Sequence, residues 1–224
     1  MTRRANARLA GLTFLLYIAV ALPANILFAN ATSAQDTAGK LAGIALHASN
    51  VRITIVLSLL AAFAALLLAV TLYGITRDED HELAMLALCC RVGEGLVIAI
   101  FVVPTVALLW LATAAVGVRD APTTGPLAEL LLKAQDWATI VSAILFSVGS
   151  TFFSYLLLRG RAIPVSLAWL GVLGSVLLVV LLPARLVGLR GEPLVWLMWL
   201  PMLVFEVALA VWLIVKGVAE PVRR

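Results

Sequence analysis

Residues 83–116 read LAMLALCCRVGEGLVIAIFVVPTVALLWLATAAV. A helix that crosses the hydrocarbon core of a bilayer needs about 20 apolar residues, so this stretch is long enough to span a membrane. It contains two charged residues, Arg91 and Glu94. Each ionised side chain at the centre of a spanning helix costs about 2.5–3.5 kcal/mol on insertion scales. The stretch therefore predicts a spanning helix whose charged face is turned toward protein rather than lipid.

Five further apolar stretches flank this one. The six predicted spans cover residues 9–28, 51–75, 83–116, 137–158, 164–187 and 194–215. Composition agrees with them, since 63% of the 224 residues are hydrophobic and 12% are charged, against about 45–50% and 25% in soluble domains. The sequence predicts an all-α fold, a polytopic transmembrane helix bundle. Residues 1–224 are expected to form a single integral membrane domain, because no soluble domain fits beside six spans.

The distribution of Lys and Arg predicts the orientation of these spans. With the N-terminus inside, nine of these residues fall on the inner side, six fall on the outer side, and Arg91 remains within the membrane. Because positive residues favour the cytoplasmic side, we expect both termini to be cytoplasmic. The longest loops, near residues 30–50 and 117–133, then lie outside. The first span resembles a secretory signal, but about 20 apolar residues exceed the usual signal core of 7–15, so we expect it to be retained.

Three intramembrane charges are predicted to lie at one depth. Arg91 and Glu94 are three residues apart and share a helix face. At 1.5 Å per residue they lie roughly 12 and 16 Å from Leu83, and Glu206 lies roughly 15 Å from Lys216 on the same side. The Arg91 guanidinium can therefore bridge both carboxylates. The fourth predicted span adds hydroxyl groups at a similar depth, on one face that consists of Ser147, Ser150, Thr151 and Ser154.

A second group of polar residues lies at the opposite, outer ends of the spans. It consists of His47, Asn50, Arg52, Gln135, Asp136 and Arg185. Such residues are typical of a solvated rim. His47 and Asp136 are chemically suited to bind metal, but two ligands from separate loops do not make a metal site, and none is predicted.

Several classes of function lack their sequence signatures. The chain has no P-loop, no HExxH motif and no GxSxG motif. Its net charge of +4 comes mainly from span ends rather than from a basic stripe, so nucleic acid is not an expected partner. The adjacent Cys89 and Cys90 are expected to be packing thiols. The predicted partner is the lipid bilayer, and no cofactor is predicted.

Short segments along the chain carry a family resemblance. They are ARLAGL at residues 7–12, LY at 72–73, RVGE at 91–94, RGRAIP at 159–164, and FE at 205–206 followed by VWLIVKG at 211–217. In this order and spacing they resemble a bacterial membrane protein family known as domain of unknown function 4386. The resemblance implies a compact helical membrane domain and brings no assigned reaction. We expect a multi-pass protein of the bacterial inner membrane.

Three functions are compatible with these residues. The first is an uncharacterised multi-pass protein that binds or transports a small molecule or ion at Arg91, Glu94 and Glu206, because intramembrane charges often mark such sites. The second is a structural or accessory membrane subunit, in which the charges only join the helices. The third is a membrane-embedded enzyme that acts on a lipid-like substrate with a carboxylate as acid or base. The sequence identifies neither a ligand nor a catalytic residue, and it is compatible with a homo-oligomer.

Overall fold

The computed structural model of the chain describes residues 3–114, 122–187 and 192–219, with backbone alone for residues 192–197. In these ranges the chain consists of helices joined by turns and short loops, with no strand. In chain order, the helices are α1 (Arg3–Ala31), α2 (Thr37–Leu46), α3 (Ala48–Thr76), α4 (His81–Ile100), α5 (Val102–Thr113), α6 (Thr124–Arg159), α7 (Val165–Leu186) and α8 (Glu192–Val215).

Within the described ranges, six helical segments are long and apolar enough to cross a membrane. They are α1, α3, α4 together with α5, α6, α7, and Met198–Val215 within α8. Large apolar side chains such as Phe63, Leu173 and Val180 are exposed on the outside of the bundle. Their exposure is expected where the surrounding medium is lipid rather than water. The predicted all-α, multi-pass fold is confirmed; the last two residues of the predicted third span, 115–116, lie outside the described ranges.

The six spans form a closed ring. Each packs on the next along the chain, in the order α1, α3, α4, α6, α7 and α8, and α8 packs again on α1. Small residues permit the closest approach at this closure: a Cβ atom on Gly11 of α1 would lie 2.7 Å from the carbonyl oxygen of Ala210 in α8. The ring encloses an interior to which several helices contribute side chains.

The third predicted span is two helices rather than one. α4 ends at Ile100, Phe101 has φ −79° and ψ 1°, and α5 begins at Val102. Pro104 explains the break, because a proline has no N–H to donate to the carbonyl four residues earlier, here Ile100, and its ring clashes with that carbonyl.

The two long loops predicted on the outer side are partly helical. Residues 30–50 contain α2. Asp36 caps its N-terminus, because the Asp36 carboxylate accepts a hydrogen bond from the Gly39 N–H. α6 begins at Thr124 instead of residue 137. Its extra turns contain good helix formers and an exposed pair four residues apart, in which Lys133 Nζ lies 2.7 Å from Glu129 Oε1.

One end of the bundle, which we call the basic edge, gathers the start of α1, the α3–α4 and α6–α7 loops and the end of α8. Asp80 caps α4 by accepting from the Leu83 N–H at 3.1 Å, and its other oxygen pairs with Arg159 at 3.0 Å. The Ala219 N–H donates to the Ala162 carbonyl at 3.1 Å. The basic residues of these segments are Arg3, Arg4, Arg8, Arg77, Arg159, Arg161 and Lys216.

Candidate functional site

Arg91 and Glu94 form a buried ion pair on one face of α4. Arg91 Nη1 lies 2.9 Å from Glu94 Oε2, and only 1% of each side chain is exposed. The two groups are close but not aligned for a hydrogen bond, and no group in the described part of the chain is hydrogen-bonded to any of the three guanidinium nitrogens. Attraction between the two charges therefore holds the contact, and burial strengthens it by removing water.

Aromatic rings take the place of hydrogen-bond partners around Arg91. Its Cζ lies 4.8 Å from the centroid of the Phe146 ring and 5.7 Å from the centroid of the Tyr17 ring. Guanidinium groups are attracted to ring faces at such distances. Gly149 gives the side chain room beside α6, since a Cβ atom there would lie 3.0 Å from Arg91 Cγ. Arg91 thus joins α4 to both α1 and α6.

Tyr17 of α1 completes the surroundings of Glu94. Its hydroxyl donates to Glu94 Oε1 at 2.7 Å, while Arg91 contacts Oε2. Both oxygens of Glu94 therefore have a partner that favours the ionised carboxylate. Tyr17 was not among the predicted site residues, because the prediction rested on charged residues and on one stripe of hydroxyl residues in the fourth span. The available signal was its position well inside an apolar span, since membrane tyrosines are otherwise enriched at the interfaces.

Glu206 of α8 is in a different situation from Glu94. Its side chain is buried, with 5% of the residue exposed, and its Oε1 has no hydrogen-bond partner within the described ranges. Glu206 is within electrostatic range of Arg91 and Glu94, but the ion pair that Arg91 forms is with Glu94. The structure thus differs from the expectation that Arg91 bridges both carboxylates, because the guanidinium is turned toward Glu94 and packed against two rings.

The predicted hydroxyl face of α6 divides into two kinds of residue. Ser147 donates to the Ile144 carbonyl at 2.9 Å and Thr151 to the Ser147 carbonyl at 2.8 Å, so both are satisfied within their own helix. Ser150 and Ser154 are buried, and among the described residues no hydrogen-bond partner is assigned to either hydroxyl. Both line a cavity beside Arg91.

That cavity has a volume of about 10 Å³, roughly the space needed by one water molecule. Apart from Arg91, Ser150 and Ser154, its wall is apolar. The apolar lining consists of Phe14, Leu72, Phe153, Leu157, Met202, Phe205 and Leu209. Residues from α1, α3, α4, α6 and α8 therefore meet at this point in the ring interior.

The outer polar residues do not form a comparable cluster. His47, Arg52, Asp136 and Arg185 are exposed, and Asn50 and Gln135 are half-buried. Within the described ranges, no hydrogen bond or ion pair joins any two of these six side chains. The same ranges contain no group of three or more His, Cys, Asp or Glu side chains placed to hold a metal ion.

Comparison with known families relates this architecture to a group of proteins. A family model described as domain of unknown function, DUF4386, matches residues 9–217. Comparisons with curated proteins and with solved structures give no match. The matched range includes all of the buried charged residues and Tyr17, and it runs through each of the six spans. The family suggested by the sequence motifs is therefore confirmed, and the chain belongs to the DUF4386 family.

Proposed function

We propose that the protein is an ion-binding or ion-transporting membrane protein that takes up and releases a proton, with Glu206 as the group that carries it. One observation supports this assignment above the others: in the described part of the chain, Arg91 forms its ion pair with Glu94 and none with Glu206. If both were ionised, Arg91, Glu94 and Glu206 would together carry a charge of −1. An uncompensated buried charge costs several kcal/mol, and a proton on Glu206 removes that cost.

In the described part of the chain, no positive charge other than Arg91 lies within electrostatic range of Glu206. Arg91 and Glu94 of α4 and Tyr17 of α1 are the titratable groups within electrostatic range of it in the described part of the chain. The sequence has no charged residue at positions 137–158 of α6 or 165–184 of α7. These two helices contribute serine hydroxyls to the interior instead. A proton is therefore the simplest species that makes the cluster neutral.

The size of the cavity favours a small ion over an organic ligand. Pockets for small molecules usually measure about 300–1,000 Å³, whereas the cavity beside Arg91 measures about 10 Å³. The same comparison gives less support to an enzyme that acts on a lipid-like substrate at this cluster. A proton needs no cavity of its own, since the carboxylate itself is the binding site.

Infrared spectroscopy of the purified protein tests the proposal. At neutral pH, we expect the C=O stretch of a protonated carboxyl group in the wild type and its loss in Glu206→Gln. Glu129→Gln is the matched control, because Glu129 is exposed and paired with Lys133; it should keep the band. Proton flux into proteoliposomes, followed with a pH-sensitive dye, should fall in Glu206→Gln alone. A wild-type spectrum in which every glutamate is ionised at neutral pH would contradict the proposal.

A structural role for the cluster is the second candidate, and it too has an observation in its favour. Tyr17, Arg91 and Phe146 bring α1, α4 and α6 together through contacts with one charged pair. If the cluster only joins helices, replacing Arg91, Glu94 and Glu206 together with apolar residues leaves folding and cellular role unchanged. If the cluster binds a proton, the same variant folds and loses proton exchange.

A further inference from the structure

The two buried glutamates differ in their partners rather than in their chemistry. Glu94 and Glu206 have the same side chain and lie in the same ring interior, both almost fully buried. Glu94 has a partner on each carboxylate oxygen. Glu206 Oε1 has neither a hydrogen bond nor an ion pair in the described part of the chain, whereas Glu94 Oε2, which also has no hydrogen bond, has its ion pair. Whatever supplies the partners of Glu94 therefore decides which glutamate carries the negative charge.

Arg91 alone does not explain why the negative charge lies on Glu94 rather than on Glu206. It is within electrostatic range of both carboxylates, and its contact with Glu94 is not aligned as a hydrogen bond. The Tyr17 hydroxyl, in contrast, has a short and directed interaction with one of the two: it donates to Glu94 Oε1 at 2.7 Å. A hydrogen bond to an ionised acceptor is about twice as strong as one between neutral groups.

We infer that Tyr17 is the positioning residue that fixes the negative charge on Glu94 and so leaves the exchangeable proton on Glu206. This inference rests on the proposed function and names the residue that determines which carboxylate serves it. Tyr17 does not itself take or give up a proton in this scheme. It keeps its own O–H and donates a hydrogen bond to the carboxylate that stays charged.

Tyr17 lies on a helix that packs against the helix carrying Glu206. α1 packs directly on α8, where Gly11 allows the α1 backbone to approach the Ala210 carbonyl. The Tyr17 ring also lies beside the Arg91 guanidinium, 5.7 Å from Cζ to the ring centroid. Phenylalanine at this position retains the ring and removes only the hydroxyl, which makes Tyr17→Phe a narrow test.

The experiment measures the protonation of Glu94 in the Glu206→Gln background, where Glu206 no longer contributes a carboxyl band. Adding Tyr17→Phe should raise the ratio of protonated to ionised Glu94 at a fixed pH by about tenfold or more, the change equivalent to losing one hydrogen bond to a charged acceptor. Tyr73→Phe is the matched control, because its hydroxyl lies 3.3 Å from His81 Nδ1 at the basic edge; it should leave the ratio unchanged.

The possible outcomes separate the inference from the function on which it rests. A ratio that stays within about twofold of the Glu206→Gln value after Tyr17→Phe overturns the role of Tyr17. The absence of a protonated carboxyl group in the wild type overturns the proposed function instead. If Tyr17→Phe does not fold, fluorotyrosine at position 17 serves as the second variant. Its hydroxyl is a stronger donor, so the ratio should fall; an unchanged ratio contradicts the inference.

Discussion

Two arginine–carboxylate pairs in this protein have nearly the same length and different surroundings. Arg91 lies 2.9 Å from Glu94 with 1% of each side chain exposed, whereas Arg159 lies 3.0 Å from Asp80 with 47% and 28% exposed. Water screens the second pair, and such surface pairs contribute little to stability. The first pair is desolvated, so each charge depends on the other. Distance alone therefore does not indicate what an ion pair does; the medium around it decides.

The largest effect is expected from removing one charge of the buried pair. Arg91→Met leaves Glu94 uncompensated and should lower the free energy of unfolding by about 3–5 kcal/mol. The measurement is the unfolding equilibrium in mixed micelles with increasing SDS. The double variant Arg91→Met with Glu94→Met should recover most of the loss, because no charge is then left unpaired.

Arg159→Met is the matched control for this prediction, since it removes an arginine from a pair of the same length at the basic edge. It should shift the SDS midpoint far less than Arg91→Met does. Equal shifts for the two variants would mean that burial does not distinguish the pairs.

A smaller change, an increase in the free energy of unfolding, is expected from a substitution at Arg161, close to the surface pair. Arg161 has φ 48°, in the left-handed region that favours glycine. Arg161→Gly should raise the free energy of unfolding by about 1 kcal/mol or somewhat less, since it relieves backbone strain but gives the unfolded chain more freedom. Arg161→Ala removes the same charge and keeps the strain, so it should give no gain. A gain in both variants would assign the effect to charge instead.

The smallest expected effect is a loss of stability at low pH, and it comes from the charge of Asp80. The Leu83 N–H and then the Arg159 guanidinium outweigh partial desolvation and hold the pKa of Asp80 below its usual value. Because the folded-state pKa is lowered, this contribution to stability is present above the unfolded pKa, near 3.9, and is lost as the pH falls through the folded pKa.

The test compares the wild type with Asp80→Asn, because asparagine also caps helices but carries no charge. The SDS midpoints of the two proteins should differ near neutral pH and converge in acid. A difference that persists in acid would show that capping, rather than charge, is what the substitution changes.

The spans could be predicted from the sequence because a bilayer imposes a minimum apolar length, which composition reveals directly. The proximity of Arg91, Glu94 and Glu206 also followed from counting residues along helices. The pairing of Arg91 with Glu94 rather than with both glutamates did not follow, since it depends on how each helix is rotated about its axis. Tyr17 and the division of the hydroxyl face into Ser147 and Thr151 on one side, and Ser150 and Ser154 on the other, depend on the same rotations. Periodicity alone does not give the rotation of a helix that is apolar on all sides.

Because α8 closes the ring by packing on α1, the buried groups of the cluster become available in a fixed order during synthesis. Tyr17, Arg91 and Glu94 all precede α8 in the chain, so they are synthesised before Glu206, and their mutual contacts need no group from α8. The charged residues of the third span, Arg91 and Glu94, can therefore pair with each other and with Tyr17 before α8 is present. Glu206 is synthesised after them, on α8, which packs against α1. On the proposed assignment, α8 enters the membrane neutral, with Glu206 protonated, and its packing adds an exchangeable proton to a cluster that is already neutral.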